Sequence, residues 1–394
     1  MKNKKLLLII FKHSLEFLMA VAGILIAWSS LTHLPPMLKL LEGQQLFLGI
    51  ATAVFALFRW IINLAKDIPE ALETIIAPNG QTIQKATVSG FDKELQDAAE
   101  ERRNEAKKYF DAGEKDFKAN NYSSAANNYR ASIDRLPTMS ACLNAGTSFY
   151  NSSDYQGAER AYQEGLKLAQ QKGDKSFEAA FLGNIGNVYY GKGKLDDALN
   201  YHQQALALHK TIGNPLGQAN ALNNIGLVYS GKGKLADALN SYQQALALHK
   251  TIGNPLGQAQ ALNNIGNVYY GKGKLDDALN YHQQALALHK TIGNPLGQAN
   301  ALNNIGLVYS GKGKLADALN SYQQALALHK TIGNPLGQAN ALGNIGLVYA
   351  DKGKLDDALD YYQQARILFQ KIGATMQLRQ VEANINKIKL GQQI

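Results

Sequence analysis

The sequence predicts an all-α protein, a solenoid of about seven helix-turn-helix repeats with a closing helix, preceded by two transmembrane helices. Three observations predict it. From about Gly173 onward the chain repeats itself every 40 residues, a period that signals stacked supersecondary units. Within each period, apolar residues recur at helical spacing in two runs separated by glycines. Two apolar stretches of about 20 residues, the length needed to cross a bilayer, stand at the start.

Those stretches come first in the chain. Residues 15–34 (LEFLMAVAGILIAWSSLTHL) and 45–65 (QLFLGIATAVFALFRWIINLA) flank a short connection in which Pro35 and Pro36 stop the first helix. Residues 1–66 are therefore expected to form a transmembrane hairpin. Lys2, Lys4, Lys5 and Lys12 precede the first span, Arg59 and Lys66 close the second, and Lys39 alone occupies the loop. Basic residues favour the cytoplasmic side, so both ends, and the repeats that follow, are expected to face the cytoplasm. Arg59 either snorkels outward beside Trp60 or contacts another membrane protein. A linker is expected over 67–91, which contains APNG and SGF.

Helical sequence begins at DKELQDAAEERRNEAKKYF and continues to the end, giving a repeat domain over 92–372 and a capping helix over 373–394. One repeat runs from Gly213 to Ile252. Asn214 caps its first helix with Pro215 at the first helical position, and Leu216, Ala219, Leu222, Ile225 and Tyr229 share a face. Gly231 and Gly233 break the helix. Leu235, Ala238, Leu239, Tyr242, Ala245, Leu246 and Leu248 then mark the apolar face of a second. Gly226 lies inside the first helix, at a cost of about 1 kcal/mol relative to Ala. Its return at Gly146, Gly186, Gly266, Gly306 and Gly346 implies a packing reason, expected here to be room for the second helix with its small Ala238 and Ala245.

Composition excludes more than it assigns. The chain is 18% charged with a net charge of +9, of which residues 67–394 do not hold enough to single out nucleic acid as partner. Cys142 is the only cysteine, so no internal disulfide exists. The stretch GNVYYGKGK at Gly186 carries the G-x-x-x-x-G-K of a phosphate loop, but Gly193 replaces the Mg²⁺-binding Ser or Thr. The frame also recurs at Gly226, Gly266 and Gly306, as a structural turn would. His209, His249, His289 and His329 recur every 40 residues, with His202 and His282 between them. Successive helices lie about 8–10 Å apart and zinc ligands about 2 Å from the ion, so these copies cannot share a metal. No metal, no cofactor and no catalytic set is expected, and the chain does not read as an enzyme.

The repeat resembles the tetratricopeptide repeat. Leu222, Ile225, Gly226, Tyr229, Ala238, Tyr242 and Ala245 hold that family's large, apolar, glycine, aromatic and alanine places, and the 40-residue form is similar to kinesin light chains and Pins-type adaptors. In the first unit Gly113, Tyr122, Ala125, Tyr129 and Pro137 fit, while Asp116 departs at an aromatic place; the second carries Gly146, Phe149, Ala158 and Tyr162. The resemblance implies a right-handed α-solenoid whose first helices line a concave groove. On those helices, off the apolar face, stand Asn184, Asn187, Asn220, Asn223, Asn224, Asn264, Asn267, Asn300, Asn303, Asn304, Asn340 and Asn344, with Tyr190 and Tyr270 nearby. Side-chain amides both donate and accept, so such a column suits the backbone of an extended peptide; it would equally serve as a solvated polar face. Asn214 to Ser230 holds no Lys or Arg, so a basic clamp for a terminal carboxylate is not evident.

These readings converge on a membrane-anchored interaction scaffold that binds a protein or peptide partner in its groove. The alternatives are a self-assembling component that forms a homo-oligomer and a nucleic-acid binder using Lys192, Lys194, Lys232 and Lys234. Residues 184–259 and 264–339 are identical over 76 positions, which points to an internal duplication and to repeated use of one surface.

Overall fold

The computed structural model describes residues 72–76, 81–95 and 99–391, all within one compact unit, Ala71–Ile394. The apolar spans expected at 15–34 and 45–65 lie outside the described residues. Among the described residues no helix is long and apolar enough to cross a membrane.

Among the described residues sixteen helices follow a two-stranded hairpin. The strands are β1 (Leu72–Ile76) and β2 (Thr82–Ala86), paired antiparallel with Ile83 opposite Ile75 and Lys85 opposite Glu73. The helices are α1 (Val88–Glu94), α2 (Glu100–Lys118), α3 (Tyr122–Arg135), α4 (Met139–Asn151), α5 (Tyr155–Lys172), α6 (Lys175–Gly191), α7 (Leu195–Thr211) and α8 (Pro215–Gly231). The second half holds α9 (Leu235–Thr251), α10 (Pro255–Gly271), α11 (Leu275–Thr291), α12 (Pro295–Gly311), α13 (Leu315–Thr331), α14 (Pro335–Asp351), α15 (Leu355–Lys371) and α16 (Thr375–Gly391). From α2 onward each helix packs on its neighbours in sequence, the arrangement of a solenoid. The stretch expected as a linker instead contributes both strands and the start of α1.

Local chemistry sets each boundary. Asn214, Asn254, Asn294 and Asn334 accept from the backbone N–H three residues on, and proline occupies the first helical position after each. The G-x-x-x-x-G-K frame is the last part of a first helix and the start of the turn into its second. Gly193 sits at φ 73°, a left-handed conformation that disfavours side chains, and its N–H bonds the Tyr190 carbonyl. Lys192, Lys232 and Lys312 reach back to Glu159, Asp196 and Asp276 of the preceding repeat.

The helical glycines do make room, but not for the alanines expected. A Cβ on Gly226 would lie 2.6 Å from the Tyr242 ring, and one on Gly186 would lie 2.6 Å from the His202 ring. The partner is thus a ring from the second helix, and His202 and His282 occupy the place that Tyr162, Tyr242, Tyr322 and Tyr362 fill in other repeats. The recurring histidines are also core groups: His209, His249, His289 and His329 are buried against Gly217, Gly257, Gly297 and Gly337. Leu216, expected on the apolar face, is 40% exposed, while Ala219, Leu222 and Ile225 are buried as their spacing predicts. Asp116, at the place where the family carries an aromatic, accepts from Ser124 Oγ and Asn128 Nδ2.

Candidate functional site: an asparagine ladder

Three asparagines at 40-residue intervals hold β2 by its backbone. Asn144 on α4 accepts from Ala86 N–H at 2.7 Å and donates to Ala86 C=O at 3.0 Å. Asn184 on α6 does the same to Gln84, at 2.8 and 2.7 Å. Asn224 on α8 does the same to Thr82, at 3.1 and 3.2 Å. Each rung is bidentate, and each takes every second residue of the strand. Successive strand residues present their polar groups to opposite edges, so Ile83 and Lys85 are left to pair with β1. The asparagine column thereby does for β2 what a third strand would do, satisfying an edge that would otherwise be unpaired.

Further contacts fix the strand. Asn187 donates to Thr82 C=O at 2.6 Å, and Thr147 Oγ1 donates to Gln84 C=O at 3.2 Å. Asn220 reaches Thr74 Oγ1 on β1. Lys85 is buried, with its ammonium 2.5 Å from Glu114 Oε1 and 5.1 Å from the centroid of the Phe117 ring. The same Glu114 oxygen accepts from Tyr129 OH at 2.6 Å and from Asn144 Nδ2 at 3.1 Å. Burial and the neighbouring carboxylate raise the Tyr129 hydroxyl well above the ordinary tyrosine range, so it remains a donor. Glu94 at the end of α1 accepts from Met139 and Ser140 N–H, tying the segment after β2 to the start of α4.

The expected site residues divide into two groups. Asn184, Asn187, Asn220, Asn223 and Asn224 are buried, whereas Asn264, Asn303, Asn304 and Asn344 are half-buried and Asn267, Asn300 and Asn340 exposed. Sequence cannot cause this difference, because 184–259 and 264–339 are identical. The hairpin causes it, by covering one copy and not the other. Tyr190 and Tyr270, expected to offer stacking area, are half-buried and lie against Gly231 and Gly311 of the following repeat. Three of the four lysines of the nucleic-acid reading are drawn toward neighbours, Lys192 and Lys232 to carboxylates and Lys194 to the Tyr189 ring.

Sequence reading missed Asn144, Glu114 and the strand itself. Asn144 stands 40 residues before Asn184 and could have been found by extending the period upstream. Nothing in Glu114, one acid in the charged stretch GEKDFK, marks it as the receptor of a buried lysine.

Among the described residues no cluster of His, Cys, Asp or Glu could hold a metal ion. What the ladder can do chemically is pair with extended backbone, with little demand on side-chain identity.

Comparison with known proteins agrees on the fold. Family models described as tetratricopeptide repeat match residues 138–211, 177–251, 257–331 and 303–371. No curated protein matches the chain. Among solved structures, aspartyl phosphate phosphatase F from Bacillus subtilis is 16% identical over 71% of this chain and 73% of its own, with a TM-score of 0.57. A Rap protein complexed with competence and sporulation factor is 15% identical over 77% of this chain and 91% of its own, at 0.55. A signal transduction ATPase with numerous domains and a tetratricopeptide repeat sensor, from Pyrococcus horikoshii, is 14% identical over 75% of this chain and 47% of its own, at 0.56. At these identities the likeness is one of fold. Since the matched segments together cover more than half of the sequence, the chain belongs to the tetratricopeptide-repeat family.

Proposed function

We propose that the chain is a membrane-anchored scaffold whose repeats bind an extended segment of a partner protein, and that it is not an enzyme. One observation carries the reading. The amides that grip β2 recur in repeats that β2 does not reach, so the chemistry of backbone capture is present there with nothing of this strand to capture. The test uses the full-length chain and a displayed library of unstructured heptapeptides. Enrichment of peptides whose binding changes little between low and high salt is expected, because no charge stands among the rungs. No enrichment, together with RNA or DNA binding that falls steeply with salt, would overturn it.

The anchor is the pair of apolar runs at 15–34 and 45–65, with the repeats on the cytoplasmic side as the flanking lysines and arginine direct. A reporter fused after Ile394 is expected to behave as cytoplasmic. Protease protection of the repeats in right-side-out spheroplasts supports the same orientation, and their digestion there would reverse it.

A further inference from the structure

The bound strand also specifies how a partner would lie. Thr82, Gln84 and Ala86 meet Asn224, Asn184 and Asn144 in turn, so the strand runs opposite to the order of the repeats and advances two residues per rung. β2 begins at Thr82, opposite Asn224, and the ladder goes on beyond it with Asn264, Asn304 and Asn344 on α10, α12 and α14. The first of those rungs makes a lateral amide bond as Asn224 does, though to a different place on the preceding first helix, since Leu227 stands where Asn187 would recur. Asn224 Nδ2 donates to Asn187 Oδ1 at 3.1 Å while also serving the strand, and Asn264 Nδ2 donates to Asn223 Oδ1 at 3.1 Å. One rung further, at the place equivalent to Asn223, the Asn303 carbonyl oxygen is buried and has no hydrogen-bond partner among the described residues.

We propose that Asn264, Asn304 and Asn344 form a site for one extended peptide of a partner protein, bound by its backbone end to end with β2, antiparallel to the repeats and clamped at every second residue. The site is continuous with the β2 interface, and its first two rungs belong to the sequence copy identical to the one that holds β2. It therefore selects an extended backbone of about five or six residues rather than a charged or helical ligand. The first three rungs of the ladder are not part of it, because the chain's own strand fills them. The assignment rests on the peptide-binding reading above and deepens it.

The probe is a synthetic peptide reproducing Gln81–Thr87, the one sequence this ladder is seen to hold, added to the full-length chain with a photoreactive group at one end or the other. An N-terminal group is expected to label α14, and a C-terminal group α10. Asn264→Ala, Asn304→Ala and Asn344→Ala together are expected to weaken the peptide at least about tenfold, since three bidentate pairs are lost. Helical signal is expected to persist, because alanine is the better helix former. Labels in the reverse order, labelling of α4 to α8 by displacement of β2, failure of the probe to bind the unaltered chain, or equal binding to the triple variant would each overturn the assignment. A library-selected peptide that binds both forms alike would leave the scaffold reading standing and end this one.

Discussion

Glu114→Ala is expected to destabilise the docked hairpin by about 3–5 kcal/mol, the range for removing one partner of a buried ion pair. The size follows from what the carboxylate leaves behind. Lys85 is 2% exposed, and without Glu114 its ammonium keeps the Ala86 carbonyl at 3.4 Å and the Phe117 ring, but for counter-charge only Glu73 Oε1, 3.5 Å away on a side chain that is 53% exposed. Tyr129 OH and Asn144 Nδ2 lose the same acceptor. Asn144 is also a rung, so the loss passes from the ion pair to the ladder. The measurement is hydrogen exchange at the amides of Thr82, Gln84 and Ala86, which reports local opening where a global midpoint would average over the array. Glu114→Gln combined with Lys85→Met removes both charges and is expected to recover most of the protection. A loss below about 1 kcal/mol in the single variant would mean that the pair contributes nothing beyond an exposed contact.

The second large effect is acid sensitivity. Burial holds His202 down at about 3, and His209 and His282 at about 4, against an ordinary histidine value of 6.5. His249, His289 and His329 are lowered by the same cause. Neither ring nitrogen of His202 has a hydrogen-bond partner among the described residues. The folded pKa lies below the unfolded one, so the unfolded chain binds more protons between them. Stability is therefore complete above about pH 6.5 and is lost as the pH falls toward the folded values. Each fully depressed histidine approaches a slope of about 1.4 kcal/mol per pH unit below its unfolded pKa, or about 1.6 kcal/mol between pH 6.5 and 5. Carboxylates add their own slope, so the control is internal to the sequence. Tyr242 and Tyr322 already fill the equivalent place beside Gly226 and Gly306. His202→Tyr with His282→Tyr is expected to flatten the pH dependence of chemical denaturation by about 3 kcal/mol over that interval. A slope unchanged by the double substitution would show that these rings do not carry it.

The contrast between these two regions also explains what was legible. The paired helices could be read because apolar spacing, an asparagine cap and a turn glycine recur together, so each copy confirms the next. The ladder could be read as chemistry, since amides repeat on a face that carries no charge. Its occupant could not. QTIQKATV is short, has only Ile83 and Ala86 as apolar residues in its paired stretch and sits between APNG and SGF, so local signals point to a loop. Its conformation is imposed by Asn144, Asn184 and Asn224, which stand 58, 100 and 142 residues away. The histidines were read as repeating, but not as ring-for-ring substitutes for tyrosine, because that equivalence depends on which residue faces the helical glycine.

Those same separations give the protein a history during its own synthesis. From α2 onward the main helix interfaces join neighbours in sequence and can close as soon as the next helix leaves the ribosome. β2 is made early and cannot meet its last rung until Asn224 has emerged 142 residues later. At about 5–20 residues per second that is a wait of roughly 7–28 s. Over that time the edge closes rung by rung, at Ala86 first and at Thr82 last, so the Thr82 end stays longest in reach of any other nascent or folded chain.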